Sequence, residues 1–225
     1  QKAIIRYVST NGNRVLTTDE VTGKSGEAIA YSTTSQINEF KKQGYKLVSD
    51  EFTAGGAKVY DYDTARDQVY TVTLSERVEP VNPDNPTPQP NTPVNPGQPD
   101  SPRWPGTVEN LDNKESVSRT IHYVYEDGSK AKDDVVETLN FKRWSNVNLV
   151  TGHIDFQDWT TNDDTFDKVV SPTIAGYTAD KSEIPAVSGV QAKDQDRVET
   201  VTYRKDAQKA IIRYVSTNGN RVLTT

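Results

Sequence analysis

Residues 1–18 read QKAIIRYVSTNGNRVLTT, and this stretch gives the strongest indication of the fold. Residues Ala3–Val8 are rich in β-branched and aromatic side chains, which favour a strand. Asn11-Gly12 is the dipeptide that two-residue hairpin turns prefer, and residues 14–21 can return as the second strand. The sequence therefore predicts that the fold opens with a β-hairpin.

The same eighteen letters return at residues 208–225, which places the second copy 207 residues after the first. An identity of this length predicts a protein made of whole globular repeats, because solenoid units run only about 20–50 residues. Residues 207–225 are then the start of the next tandem repeat, and neighbouring repeats of the same chain are expected partners. A lone hairpin is marginal in water. We therefore expect this segment either to be disordered or to pair with a sheet edge of another molecule.

The residues that follow the first hairpin predict one helix and three more strands. Thr33 can cap a helix that runs to Lys42, with Gln36 in the position of a capping-box partner, and Gly44 can end it. The predicted strands are 45–52, 59–62 and 68–75. The order β-β-α-β-β is typical of a ubiquitin-like β-grasp domain, which we predict over residues 1–79.

A proline-rich segment follows this domain. Residues 80–105 hold 10 of the 12 prolines of the chain. Proline fixes φ and lacks an N–H donor, so the composition favours polyproline II and predicts a linker over residues 80–106. At about 3.1 Å per residue, such a linker reaches roughly 80 Å when fully extended.

Residues 107–206 predict a second domain that is rich in sheet. Ile121, Tyr123 and Tyr125 share one face and indicate a strand at 118–126. The turn Asp127-Gly128 predicts a return strand at 133–141, and shorter strands are predicted around 169–170, 177 and 198–203. Residues 143–168 have no clean periodicity. The predicted fold class is therefore β-rich α+β, with the two domains in an elongated arrangement.

Composition and charge exclude several classes of function. The chain has no cysteine, which excludes disulfides and thiolate chemistry. Its net charge is −6, and residues 107–206 hold 12 basic and 19 acidic side chains, so nucleic acid is an unsuitable partner. No apolar run is long enough to insert into a membrane. No nucleophile elbow, phosphate-binding loop or HExxH motif is present, and the sequence predicts no enzyme and no required cofactor.

Two kinds of binding residue can be named in the irregular stretch. Tryptophan faces suit the C–H surfaces of sugars, and amides suit their hydroxyl groups. The glycan-binding candidates are Trp144, Trp159, Asn146, Asn148 and Asn162. The alternative is that both tryptophans belong to the core, with satisfied N–H groups.

Carboxylates in the same stretch suggest a possible calcium site, because calcium prefers six to eight oxygen ligands. The candidate ligands are Asp158, Asp163, Asp164 and Asp167. Their spacing does not match an EF-hand loop, and the alternative is a solvated acidic loop.

Ordered segments across both halves resemble a known family. GYKLVSD at 44–50 and DQVYTVTL at 67–74 resemble the first domain of mucus-binding (Mub/MucBP) repeats. RTIHYVYEDG at 119–128 and SPTIAGYTADK at 171–181 are similar to the second, mucin-binding domain. The resemblance covers nearly the whole chain, with the two domains in the family's order.

Several expectations follow from the resemblance alone. Such repeats belong to large adhesins on the surface of lactobacilli, so it implies an extracellular location and cell-wall anchoring through regions outside residues 1–225. It implies binding to mucin glycans through multivalent tandem copies. Two alternatives stay open: an immunoglobulin-binding module that uses the β-grasp domain, and a stalk spacer. The family has no established catalytic residues.

Overall fold

A computed structural model describes residues 1–98, 100–219 and 222–224. Pro99 of the predicted linker, and residues 220, 221 and 225 of the predicted next repeat, lie outside the described residues. The described chain is rich in strands and contains little helix. Its contacts divide it into two compact units, residues 1–114 with 142–160 and residues 115–141 with 161–225.

The elements are numbered in chain order. They are β1 (Lys2–Ser9), β2 (Val15–Thr22), α1 (Thr34–Lys42), β3 (Tyr45–Asp50), β4 (Gln68–Glu76), β5 (Val78–Val81), a 3-10 helix (Gly106–Asn110), β6 (Lys114–Tyr125), β7 (Lys130–Lys142), β8 (Ser145–Asn148), β9 (Ile154–Phe156), β10 (Val169–Val170), β11 (Tyr177–Ala179), β12 (Glu183–Ile184), β13 (Arg197–Lys205), β14 (Tyr214–Val215) and β15 (Val222–Thr224).

The first unit contains a mixed four-stranded sheet in the order β2-β1-β4-β3. Strand β1 is antiparallel to β2 and parallel to β4, and β3 is antiparallel to β4. Because side chains alternate along a strand, Ile5 and Tyr7 of β1 lie on one face, and both are 0% exposed. Ile37 and Phe40 of α1 join the same core cluster, so the helix packs against this face. The predicted strand at 59–62 is wrong, since Val59 makes only an isolated bridge to Ala28.

The helix lies where the sequence predicts it, but its start is stabilised differently. Thr33 has helical dihedral angles and makes no capping hydrogen bond, so the predicted capping box is wrong. The Thr33 hydroxyl instead donates to Oδ2 of Asp50 at 2.6 Å, which ties the helix start to the end of β3. Gly44 ends the helix with a φ of 95°, as expected for a C-terminal glycine.

A second, three-stranded sheet lies in the first unit, in the order β5-β8-β9, with antiparallel pairing throughout. Strands β8 and β9 lie in the stretch that showed no periodicity in the sequence. Val81, Val108 and Val147 are buried together, and Trp104 packs against them. This sheet therefore joins residues around 80 to residues around 150.

The structure differs from the extended linker predicted over residues 80–106. Residues 78–81 form an edge strand, and Pro80 is tolerated there because an edge strand has free N–H positions. Pro93 bridges Arg103, and Asp100 lies 3.4 Å from the Lys42 ammonium. The prediction of an extended conformation is therefore wrong for the described part of the segment. The domain boundaries 1–79, 80–106, 107–206 and 207–225 stay a prediction, although the compact units divide the chain differently.

The second unit contains a four-stranded sheet in the order β11-β13-β6-β7 and a two-stranded sheet of β10 and β12. Strand β13 is parallel to β6 and antiparallel to β11. Ile121 and Tyr123 of β6 are buried as the alternation predicts, and they share a core with Val201 and Tyr203 of β13. Arg119 lies among the buried residues at only 1% exposure, which the sequence did not indicate.

The described part of residues 208–225 forms a hairpin of its own. Strands β14 and β15 pair in an antiparallel manner. The described residues before this hairpin, 206–213, form no strand or helix. No helix in the described part of the chain is long and apolar enough to cross a bilayer.

Candidate functional site

The three-stranded sheet β5-β8-β9 has one buried and one exposed face. We call the exposed face its outer face, and two of the predicted glycan-binding residues, Trp144 and Asn146, are available for binding there. Ser145 and Val147 of β8 point inward and are 0% exposed. The alternation of a strand therefore places Asn146 and Asn148 on the opposite, outer face. Trp144 directly precedes β8 and is exposed.

Cross-strand pairing extends this outer face on both sides of β8. Asn146 lies between Pro80 of β5 and Asp155 of β9 in the register of the sheet. The backbone N–H of Gln157 donates to the carbonyl of Trp144 at 2.9 Å, so Gln157 lies opposite the tryptophan. We call the set Pro80, Trp144, Asn146, Asp155 and Gln157 the outer platform.

Trp144 is the aromatic side chain of the outer platform, and it is 42% exposed. The polar groups beside it are two amides and a carboxylate, which can donate to and accept from hydroxyl groups. An exposed indole that is flanked by planar polar groups has the chemistry to bind a sugar ring. The sequence pointed to Trp144 and Asn146 but missed Asp155, which only the register of the strands brings alongside.

Trp159 is engaged within the protein. The Arg143 guanidinium lies 4.3 Å from the centre of the Trp159 ring and 4.0 Å from that of Phe156. The same guanidinium bonds Oδ2 of Asp112 at 2.9 Å. Trp159 therefore takes part in a cation–π stack that fixes the end of the sheet.

Asn148 also has a structural role, although it lies on the outer face. Its amide nitrogen donates to Glu76 at 2.7 Å, and its amide oxygen accepts the N–H groups of Val150 and Thr151, each at 3.0 Å. All of these bonds would be lost if the side chain turned to a ligand. Asn162 is exposed and belongs to the second unit. The structure therefore does not bring all five glycan candidates together.

The predicted calcium ligands are not gathered into a site. Among residues 1–98, 100–219 and 222–224, no group of three or more acidic or histidine side chains is placed to hold a metal ion. Asp163 accepts the N–H of Thr165 at 2.9 Å, and Asp164 accepts its hydroxyl at 3.0 Å. Short-range bonds of this kind stabilise turns, which gives Asp163 and Asp164 a structural role.

A second candidate surface lies elsewhere in the first unit. It is a groove of about 660 Å³ between the α1–β3 region and the folded proline-rich segment. Its lining includes the basic residues Lys41, Lys46 and Arg77 and the acidic residue Asp100. We call it the basic groove. It offers positive charge in a chain whose net charge is −6.

The rim of the basic groove is held by an ion-pair network. The Lys42 ammonium lies 3.0 Å from Glu39 and 3.4 Å from Asp100. The hydrogen bond to Glu39 has the largest effect on the pKa of Lys42, followed by the one to Asp100, and both raise it above its ordinary value. Lys42 therefore stays charged and links the helix to the proline-rich segment, while Lys41 and Lys46 face the groove.

Comparisons with known proteins match both halves of the chain. The sequence model of the mucin binding domain family matches residues 1–76, and that of the Muc B2-like domain family matches residues 108–207. A type 2 repeat of the mucus binding protein MUB from Lactobacillus reuteri is 28% identical, with 92% of this chain and 100% of that chain covered and a TM-score of 0.59. The crystal structure of Mub-RV is 26% identical at the same coverages, with a TM-score of 0.72. No curated protein matches the sequence.

Proposed function

The chain belongs to the mucus-binding (Mub/MucBP) repeat family, and from this premise we propose that it is an adhesion repeat that binds mucin glycans through the outer platform. The observation that carries the proposal is the exposed indole of Trp144, next in the sheet register to Asn146, Asp155 and Gln157. The proposed role is binding and not catalysis.

Two finer features belong to the same proposal. We propose that residues 1–79 are a β-grasp domain, which the order β2-β1-β4-β3 and the packing of α1 on one sheet face support. We also propose that tandem copies on the cell surface bind together. A single platform of this size binds weakly, but each bound repeat raises the effective concentration of the next.

The first prediction concerns Trp144. Replacing Trp144 by alanine in the full chain should weaken binding to immobilised mucin about tenfold or more, because buried aromatic anchors dominate interfaces and tenfold corresponds to about 1.4 kcal/mol. The measurement is surface plasmon resonance on native mucin and on enzymatically deglycosylated mucin. Deglycosylation should abolish the binding of the unaltered chain.

The matched control is Tyr62→Ala, because Tyr62 is an 80% exposed aromatic residue of the same unit that lies outside the platform. It should bind like the unaltered chain. Equal affinities for Trp144→Ala and the unaltered chain would remove the platform from the proposal. The full chain is needed because separating residues 1–79 from 107–206 would part β5 from β8.

The second prediction concerns the basic groove. Mucin carries acidic sugars, and residues 107–206 are themselves acidic, so positive charge in the first unit is expected to offset repulsion. The double substitution Lys41→Gln and Lys46→Gln should weaken binding to native mucin more than to mucin stripped of sialic acid and sulfate. The difference should shrink at high salt, because salt screens exposed charges.

The control is the double variant Lys24→Gln and Lys132→Gln, which removes the same two positive charges from positions outside the groove. Both of these lysines are exposed and neither lines the groove. An equal loss for the two double variants would attribute the effect to net charge alone. An equal loss on native and stripped mucin would exclude recognition of acidic sugars.

Immunoglobulin binding is the alternative function, favoured by one observation. Strands β2 and β3 are the two edges of the first sheet, and Leu47 and Val48 of β3 are 40% and 57% exposed. Such an edge can accept an added strand from a partner. The same surface plasmon resonance measurement with IgG in place of mucin separates the two functions. If the chain binds IgG and not mucin, immunoglobulin binding replaces glycan binding as the proposed function. If it binds neither, a stalk spacer is favoured.

A further inference from the structure

The outer platform contains one carboxylate, that of Asp155. The pairing of β8 with β9 places Asp155 directly opposite Asn146, and residues opposed in an antiparallel pair have Cβ atoms about 4.5–5.5 Å apart. Ile154 and Phe156, on either side of Asp155, are half-buried, whereas Asp155 is exposed. The carboxylate therefore lies on the outer face, beside the amide of Asn146.

Neither of these polar groups is used inside the protein. In the part of the chain that the structure describes, the Asp155 carboxylate and the Asn146 side-chain amide take part in no hydrogen bond or ion pair. They differ in this from Asn148, whose amide is bonded to Glu76 and to the turn after β8. A ligand can therefore bond to both groups without breaking a contact of the protein.

The two positive charges that precede the platform in the sequence are already paired with other carboxylates. The Lys142 ammonium lies 3.0 Å and 2.9 Å from the two carboxylate oxygens of Asp84. The Arg143 guanidinium bonds Oδ2 of Asp112 at 2.9 Å and is only 16% exposed. The charge of Asp155 is not offset by either of them, so the platform carries a local negative charge.

The chemistry of these groups fits a neutral sugar ring. An ionised carboxylate accepts hydrogen bonds and donates none, and its two oxygens can accept from two hydroxyl groups at once. The amide of Asn146 can both donate and accept, and the exposed indole of Trp144 offers an apolar face to the C–H side of the ring. A sugar with its own carboxylate or sulfate would bring a second negative charge next to Asp155, and like charges repel.

We propose that the outer platform selects neutral hexoses over acidic sugars, and that Asp155 is the residue that determines this choice. The inference rests on the proposed function, because it takes the platform as the glycan site. In the bound state, Asp155 accepts hydrogen bonds from ring hydroxyls, Asn146 bonds a further polar group of the sugar, and Trp144 packs against the ring. Acidic sugars are left to the basic groove, which is lined by other residues of the first unit.

The test compares two soluble sugars that differ by one acidic residue. Lactose is neutral, and sialyllactose is the same sugar with an added sialic acid; each is titrated into the isotope-labelled full chain at neutral pH and followed by NMR. The chain has three tryptophans, and the indole N–H signal of Trp144 is the one that Trp144→Ala lacks. Lactose should shift this signal. Sialyllactose should bind at least about threefold more weakly, the effect of two unit charges roughly 6 Å apart in water.

The decisive variant is Asp155→Asn, which keeps the shape of the side chain and removes its charge. It should weaken lactose binding about fivefold, because hydrogen bonds to a charged acceptor are stronger than those to a neutral one. It should also bring the affinities for the two sugars within about twofold of each other. The matched control is Asp158→Asn, which removes the same charge from an exposed residue of the same stretch outside the platform. The control should keep the preference for lactose.

Several results would overturn the inference and leave the proposed function in place. Asp155 does not select the sugar if sialyllactose binds the unaltered chain as tightly as lactose, if Asp155→Asn keeps the preference, or if Asp158→Asn removes it equally. If neither sugar shifts the Trp144 signal although Trp144→Ala lowers mucin binding, the platform binds another part of mucin. The proposed function itself fails if neither sugar shifts this signal and Trp144→Ala binds mucin like the unaltered chain.

Discussion

Replacing Arg119 by methionine is expected to lower the free energy of unfolding of the second unit by about 2–4 kcal/mol, because the buried guanidinium makes charge-assisted hydrogen bonds to a partly exposed carboxylate and to two carbonyls. The Arg119 guanidinium is bonded to Glu137 at 2.7 Å and to the carbonyl of Pro185 at 2.9 Å, and it also donates to the carbonyl of Asp167. It lies 5.2 Å from the centre of the Phe166 ring. Methionine fills similar space but donates no hydrogen bond, so a carboxylate and two carbonyls lose their partner.

The measurement for Arg119→Met is urea unfolding followed by hydrogen exchange of β6 and β13, which form the centre of the second sheet. The matched control is Arg204→Met, because Arg204 also pairs with a glutamate, Glu126 at 3.4 Å, but is 69% exposed. An exposed pair contributes at most about 1 kcal/mol. Equal losses for the two variants would mean that the bonds of Arg119 stabilise the unit no more than a surface pair does.

Local sequence signals predicted the elements that are determined locally. The predicted hairpin of β1 and β2 formed, but the two-residue Asn11-Gly12 turn is wrong. The N–H of Ser9 donates to the carbonyl of Arg14 at 2.8 Å, which closes a longer loop, and Gly12 and Asn13 have the positive φ angles. The end of α1 at Lys42 followed from the glycine at position 44. The alternation in β6 correctly placed Ile121 and Tyr123 on the buried face of the second sheet, but it gave no indication of the buried Arg119.

Elements that depend on distant partners were missed. Proline content predicted an extended segment at 80–106, but Val81 and Val108 are buried against Val147, a residue far along the chain. Strands β8 and β9 have four and three residues, too few to show a period of two. Composition describes the local preference of the backbone, and it does not show which apolar residues meet across the chain.

In the candidate site, too, the residues set by local sequence were predicted and those set by distant partners were missed. Trp144 and Asn146 are two residues apart in the sequence, and they lie on one face because side chains alternate. Asn148 continues that face, but its bonds to Glu76 and to the turn after β8 were not visible from spacing. Asp155 joined the platform only through the pairing of β8 with β9.

The second large effect is expected at Gly44, which follows α1 and packs closely against Leu149. Gly44→Ala should lower the free energy of unfolding of the first unit by about 2–4 kcal/mol, the sum of left-handed backbone strain and overpacking. Gly44 has a φ of 95°, and an added Cβ would lie 2.8 Å from Cβ and 2.9 Å from the carbonyl carbon of Leu149. A contact with backbone atoms cannot be relieved by turning a side chain.

Gly56→Ala separates the two causes, because Gly56 has a nearly equal φ of 93° but open space where its Cβ would be. It should show only the backbone strain, about 1–2 kcal/mol. The three tryptophans of the chain, Trp104, Trp144 and Trp159, all lie in the first unit, so urea unfolding followed by fluorescence reports on it. If Gly44→Ala cost no more than Gly56→Ala, the stretch that carries the outer platform would not be packed on the helix end. A clear excess would show that the platform is fixed to the first sheet, as a binding surface on a rigid support requires.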